Sequence, residues 1–180
     1  MNDVYLLQPD PHFRSLVAPE DEEFFELVDR FDGRAISGAW RPFEVEYDEE
    51  SIHLPNGDFP SMSLPHIPLF AARATEALHP LLSSNGELLP LTLDQENYFA
   101  FNVHTLVDAL NREKSDLVYY PSGRVLDVNS YVLRGERMGS EAIFKLPDTA
   151  LMDVFVTDKF LRVVEHQYLL GFSFKPVVVA

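Results

Sequence analysis

The stretch VFVTDKFLRVVEHQYLLGFSF, residues 154–174, contains a strand, a helix and a second strand in direct succession. Residues 154–156 are β-branched or aromatic, and Thr157 or Asp158 can cap the helix that follows. Apolar side chains at helical spacing predict the buried stripe of this helix, namely Phe160, Leu161, Val164 and Tyr168. Gly171 can end the helix before a strand at residues 172–174. The end of the chain therefore predicts packed α and β structure.

Upstream of this unit the apolar segments are short and are separated by turn residues. Residues 142–146 predict a strand before Pro147, and residues 118–120 and 125–133 predict two strands that flank the tight turn PSGR at 121–124. Alternation along the second strand assigns one set of side chains to the core, namely Leu126, Val128, Ser130 and Val132. This pattern is typical of antiparallel pairing.

The middle of the chain mixes helical and strand patterns. A helix is predicted over residues 69–78, because Pro80 should end or kink it soon afterwards. Strands are predicted at residues 87–93 and 98–103, and a short helix at residues 105–110. The alternation of these elements favours a mixed fold.

The first third is less regular. Residues 4–8 predict a strand, residues 19–31 a helix, and residues 40–47 a half-buried strand, whereas the four prolines within residues 51–68 predict a loop. Together the segments predict an α+β fold, a mostly antiparallel sheet with a few packed helices in a single domain. Within this domain we expect an acidic N-terminal lobe at residues 1–68 and a more regular core at residues 69–180.

Charge is distributed unevenly between these two parts. Residues 1–68 carry fifteen acidic and four basic side chains, whereas residues 69–180 carry fourteen and ten. Such a surface repels nucleic acid and anionic lipid, which need clustered Lys and Arg, and it attracts basic protein. Acidity is also a common device for solubility. We therefore expect neither nucleic acid nor membrane as a partner.

The chain contains no cysteine, which excludes disulfides, thiolate catalysis and Cys-ligated metal. The first ten residues lack the basic flank and long apolar run of a signal peptide, and no later run is long enough to span a bilayer. The cytoplasm is the expected compartment.

Several pieces of the chain, in order, carry a resemblance to a known family. They are GELLPL at 86–91, YFAFNV at 98–103 with DAL at 108–110, the turn at 121–124 with its following strand, VFVTDKF at 154–160 and GFSF at 171–174. Over roughly residues 69–175 the sequence resembles immunity-protein family eleven of bacterial polymorphic toxin systems. The resemblance implies a small α+β protein that binds and blocks the toxin of the cell that makes it. It offers no catalytic residues to carry over, and it implies no cofactor.

Enzymatic alternatives have weak support in the sequence. The histidines are scattered, and none forms a His-Glu-x-x-His helix; His104 and Asp108 could share a helix face, although such a pair is usually a surface contact. No Gly-x-Ser-x-Gly elbow or phosphate-binding loop occurs. A small metal-dependent hydrolase remains the alternative from another class, and an acidic regulatory or scaffold module is a third.

The candidate partner-binding residues lie in the acidic first third, where carboxylates and aromatic residues alternate. They are Trp40, Phe43, Glu44, Glu46, Tyr47, Asp48, Glu49, Glu50 and Phe59. The carboxylates would steer a toxin domain with a basic surface into encounter, and the aromatic residues would anchor it. Large aromatic residues more often fill a core than an interface, so burial is the alternative for these anchors. A nuclease is one candidate toxin, because an acidic inhibitor can imitate the phosphate surface that it must bind.

Overall fold

The fold is described from a computed structural model, which describes residues 3–18, 22–93 and 96–180. These residues form an α+β domain with mostly antiparallel sheets. The strands are β1 (Val4–Pro9), β2 (Leu16–Val17), β3 (Glu46–Tyr47), β4 (Leu69–Ala71), β5 (Gly86–Pro90), β6 (Tyr98–Val103), β7 (Asp116–Tyr119), β8 (Val125–Ser130), β9 (Val132–Leu133), β10 (Ile143–Phe144), β11 (Phe155–Thr157) and β12 (Phe172–Val179). The helices are α1 (Glu22–Val28), α2 (Ala72–Leu82) and α3 (Asp158–His166), and short 3-10 turns lie between them. The predicted fold class is confirmed.

The largest sheet joins the two ends of the chain. Its strand order is β10-β11-β1-β12-β9, so β1 lies at the centre, and all neighbours are antiparallel except the parallel pair β12 and β9. Both faces of β1 are covered: Val4 and Leu6 are buried in one core cluster, and Leu7 is buried in another on the opposite face. The predicted strand, helix and strand at residues 154–174 are present, and the final strand continues to Val179.

The second sheet has the order β4-β6-β5 and carries α2 beside it. The predicted helix at 69–78 is wrong at both ends. Residues Leu69–Ala71 pair with β6 and are a strand, and the helix continues through Pro80 to Leu82. Pro80 has no N–H to donate to Glu76 O, so the helix continues through it with one backbone hydrogen bond fewer and ends two residues later.

Residues 105–110 form isolated bridges at Leu106 and Leu110 and no helix, so the short helix predicted there is wrong. The backbone of this segment is paired with the segment around Lys145: Lys145 N donates to Thr105 O at 2.9 Å, and Val107 N donates to Lys145 O at 2.9 Å. Val107 and Leu110 are nevertheless buried, as predicted. Sheet-like pairing with a distant segment has overridden the local preference.

The hairpin of β7 and β8 forms around residues 121–124, as predicted, but its predicted inner face is wrong. Leu126 is exposed, whereas Val125 and Tyr131 are buried. Register shifts at two places along β7 interrupt the alternation on which the prediction relied.

In the first third, α1 occupies residues 22–28, and residues 19–21 of the predicted helix lie outside the described residues. The predicted strand at 40–47 is reduced to β3, which pairs with β2, plus an isolated bridge between Glu44 and Thr92. Residues 52–68 contain neither helix nor strand of two residues or more, as their prolines indicate.

The helix at the end of the chain differs from its prediction in two details. Thr157 occupies the N-cap position, but its hydroxyl makes no capping hydrogen bond and donates instead to Glu141 O at 3.1 Å. Phe160 and Val164 are buried, whereas Tyr168 is 80% exposed and lies beyond the end of the helix. The buried stripe is therefore shorter than predicted.

Candidate partner-binding surface

The acidic segment, residues 43–50, is bonded to the rest of the domain on both of its sides. Val45 N donates to Thr92 O at 2.9 Å, and Thr92 N donates to Phe43 O at 3.0 Å. On the other side β3 pairs with β2, with Val17 opposite Glu46. Because successive side chains of an extended segment point to opposite faces, the burial of Val45 places Glu44 and Glu46 on the surface.

Glu44 and Glu46 line one shallow groove. Its remaining lining residues are Val17, which is 46% exposed, and Ala18, and its volume is about 280 Å³. The groove therefore combines an apolar wall with two carboxylates. A Lys or Arg side chain has matching chemistry, with an apolar stem and a cationic end.

Asp48 has a structural role within the acidic segment. Its carboxylate accepts a hydrogen bond from Glu50 N at 3.0 Å and another from Ser15 Oγ at 3.0 Å. Ser15 N in turn donates to Ser51 Oγ at 3.0 Å. Asp48 thus holds the turn after β3 against the preceding strand, and Glu49 and Glu50 remain exposed beside it.

The aromatic candidates are not brought together as a set of exposed anchors. Trp40 and Phe43 are half-buried, with ring centroids 5.5 Å apart, and Trp40 Nε1 donates to Pro90 O at 2.9 Å. Phe43 packs edge-on against Phe24, and Trp40 packs edge-on against Phe31. Phe59 lies elsewhere, in the core, stacked on Phe172 at a centroid distance of 4.7 Å.

The Tyr47 side chain makes a polar contact beside the acidic segment. Its hydroxyl donates to Glu96 Oε2 at 2.8 Å, and the Arg14 guanidinium lies 5.3 Å from its ring centroid. Partial burial raises the pKa of the Tyr47 hydroxyl, and the neighbouring Glu96 carboxylate acts in the same direction. Tyr47 is therefore a neutral hydrogen-bond donor at physiological pH.

A half-buried polar cluster around Glu87, for which no motif in the sequence is a signal, connects the first third of the chain to the second sheet. The Glu87 carboxylate accepts hydrogen bonds from Ile36 N at 2.7 Å, Ser37 N at 3.2 Å and Asn102 Nδ2 at 2.9 Å, and His104 Nε2 lies 3.2 Å from it. Burial of Glu87 opposes ionisation, but these hydrogen bonds outweigh it and lower the pKa of Glu87 to about 2. His104 and Asp108 do not share a helix face, since residues 104–110 form no helix.

The Lys145 side chain also connects the first third of the chain to the rest of the domain. Its side chain is fully buried, and Nζ donates to Phe31 O at 2.5 Å across 114 residues of sequence. Burial lowers the pKa of Lys145 to about 7, although the nearby Asp32 acts in the opposite direction. His66 is also buried, and burial together with the charge of Lys145 lowers the pKa of His66 to about 4. The only sequence signal for this site is a lysine within the apolar run IFKL.

Within residues 3–18, 22–93 and 96–180, no three His, Asp or Glu side chains lie close enough together to hold a metal ion. In the same part of the chain, every helix is too short or too polar to cross a membrane.

No curated protein matches the chain. The family resemblance is confirmed over residues 92–179, which match the model of the Immunity protein family (Imm11), and this match supports a role as an immunity protein.

Proposed function

We propose that this chain is a cytoplasmic immunity protein that forms a one-to-one complex with its cognate toxin domain and blocks it without turnover or cofactor. The observation that carries the proposal is the family match over residues 92–179. Inhibition by binding needs a surface that recognises the toxin rather than an arrangement of reacting groups.

The acidic surface, defined as Glu44, Glu46, Glu49 and Glu50, supports a toxin with a basic surface. All four carboxylates are exposed, and none takes part in an ion pair within the described part of the chain. Like-signed charges in one region steer a basic partner into encounter and set its orientation more than they add affinity. A toxin that binds nucleic acid must present basic residues, so a nuclease domain fits this surface.

The experiment that tests the proposal is co-expression. The candidate partner is the C-terminal domain of a large toxin encoded next to this chain, expressed in cells with or without it. We expect the toxin domain alone to stop growth, and the chain to restore growth and to co-purify with the domain in equimolar amount. Failure of the chain to restore growth would contradict the proposed function.

A further inference from the structure

The end of α3 is a Schellman motif with a tyrosine at its critical position. Tyr168 N donates to Glu165 O at 3.1 Å, and Leu169 N donates to Val164 O at 3.0 Å, as this motif requires. Leu169 and Val164 are both buried in one core cluster, which supplies the apolar contact that usually accompanies the motif. Tyr168 therefore occupies the position C′, where the backbone is left-handed.

Tyrosine is a poor residue for this position. Its φ is +51°, a conformation that glycine adopts without penalty and that bulky residues rarely adopt. Backbone hydrogen bonds hold this conformation, but the Tyr168 side chain adds nothing to it in the described part of the chain, where it is 80% exposed and makes no ring contact or hydroxyl hydrogen bond. Backbone strain at an exposed side chain indicates a role outside folding.

The backbone of the loop that carries Tyr168, residues 167–170, is held by hydrogen bonds from Arg73 and Asp58. Arg73 Nη2 donates to Gln167 O at 2.7 Å and to Tyr168 O at 3.1 Å, while Arg73 Nη1 pairs with Asp58 Oδ2 at 2.7 Å. The same Asp58 oxygen accepts a hydrogen bond from Leu170 N at 2.8 Å, and Asp58 N donates to Leu170 O at 2.8 Å. Tyr168 and the half-exposed Leu170 are therefore presented on a fixed backbone, which lowers the entropy lost on binding.

This loop and the acidic surface lie along one segment of chain. At one end of residues 10–17, Asp10 N donates to Gly171 O at 2.8 Å; at the other, Val17 pairs with Glu46. Between them Ser15 is bonded to Asp48. Eight residues span at most about 25 Å, so one short segment links the loop of Tyr168 to the acidic surface.

We propose that Tyr168, together with Leu170, is an anchor that enters an apolar pocket on the toxin domain, while the acidic surface orients that domain. This inference rests on the proposed function and adds the binding residues. An exposed tyrosine on a rigid loop has the properties of an interface hot spot, which requires a large apolar ring, a polar end and little motion. Continuity with the acidic surface makes the toxin domain, rather than a second copy of this chain, the occupant.

The test uses two substitutions that relieve the backbone strain and remove the ring, Tyr168→Gly and Tyr168→Asn. Both residues accept a left-handed backbone, so we expect each variant to melt about 2 °C higher than the wild type. We also expect each to bind the inactivated toxin domain about 30-fold more weakly, mainly through faster dissociation. The matched control is Tyr120→Asn, which removes an exposed tyrosine from the β7–β8 hairpin and should leave the affinity unchanged.

If the Tyr168 variants are more stable than the wild type but bind the toxin domain more weakly, Tyr168 is a binding anchor and not a structural residue. If both variants bind the toxin domain within twofold of the wild type, Tyr168 is not an anchor, although the proposed function stands. If wild-type self-association is lost in the variants while toxin binding is kept, the occupant is a second copy and the inference is wrong. If the wild-type chain itself does not bind the toxin domain, the proposed function fails first.

Discussion

Residues 1–68 and residues 69–180 are built differently, although one fold contains both. Residues 69–180 supply most strands of both larger sheets and all of α2 and α3. The described part of residues 10–68 contains one short α-helix, two short strands, two 3-10 turns and long loops. The first part contains the acidic surface, and most of the part that follows matches the immunity family. Charge is thus carried on a segment with little regular structure of its own.

The loops of the first part are held by polar side chains of the second. Phe31 O is bonded to Lys145, and the backbone amides of Ile36 and Ser37 are bonded to Glu87. Arg34 O accepts a hydrogen bond from Asn102 Nδ2 at 2.7 Å. Buried backbone groups need partners, and a loop without a ladder must find them on side chains. The regular part therefore positions the irregular one.

The largest expected effect comes from breaking the contact between Lys145 and Phe31. The pKa of Lys145 is about 7 in the folded protein and 10.5 for an unperturbed lysine, so the unfolded chain binds more protons between these values. The contribution of Lys145 to stability is greatest above pH 10.5 and is lost as the pH falls to about 7. Between pH 7 and 9.5, we expect the wild type to gain about 3 kcal/mol of unfolding free energy over Lys145→Met.

Urea denaturation at several pH values measures this difference. Lys145→Met retains the length of the side chain and cannot titrate, so the two stability profiles should diverge as the pH rises. Parallel profiles would show that the buried amine keeps its ordinary proton affinity in the folded state.

The next effect concerns Glu87, which holds residues 36 and 37. Glu87→Gln keeps the shape of the side chain and removes the charge that these amides bind. We expect a loss of about 2 kcal/mol at pH 7, because hydrogen bonds to a charged group are the stronger ones. The pKa of Glu87 is lowered to about 2, so its stabilisation is present above pH 4.5 and is lost as the pH falls through about 2.

Amide hydrogen exchange localises the effect of Glu87→Gln. The amides of Ile36 and Ser37 should exchange faster in the variant at pH 7, while amides of β12 keep their protection. Uniformly faster exchange across both parts would instead mean that the two regions open together.

The sequence predicts the elements that have a periodic pattern of their own better than the segments that are shaped by distant contacts. Residues 98–103 and 154–174 have strong periodic patterns, and their elements are found almost where predicted, although β11 and β12 pair with β1 at the other end of the chain. Residues 105–110 have a helical pattern, but the backbone of Lys145 pairs with them, and no local signal contains that contact. Local patterns succeed where burial follows the repeat of a single element.

The sequence predicts the exposed carboxylates of the candidate site better than its aromatic anchors. Glu44 and Glu46 are exposed, as expected for carboxylates on either side of a buried Val45. Phe59 is a core residue, and composition could not separate it from an exposed aromatic residue. Tyr168 fits the helical stripe predicted from the sequence, but α3 ends at His166, and Tyr168 beyond it is exposed rather than buried.

The acidic surface should change the rate of association more than the lifetime of the complex. For the double variant Glu44→Lys with Glu46→Lys, we expect association with the toxin domain to slow about tenfold at low salt. The effect should shrink as ionic strength rises. Asp48 is unsuitable for this test, because it also holds the turn through Ser15.

The matched control reverses the same number of charges within residues 69–180. Glu113→Lys with Glu136→Lys changes two exposed carboxylates outside the acidic surface. Stopped-flow association over a range of salt concentrations compares the pairs. Equal slowing by both would assign steering to net charge and remove the special role of the acidic surface.

The smallest effect tests the best-predicted stretch of the chain. Thr157 stands at the N-cap of α3, yet its hydroxyl donates to Glu141 O. Thr157→Ala should therefore cost about 1 kcal/mol through that single hydrogen bond, measured by thermal denaturation. The amides of Lys159 and Phe160, which a capping side chain would protect, should exchange at the wild-type rate. Faster exchange at these two amides would restore Thr157 as a cap, and Thr157→Ser, which keeps the hydroxyl, should then reverse it.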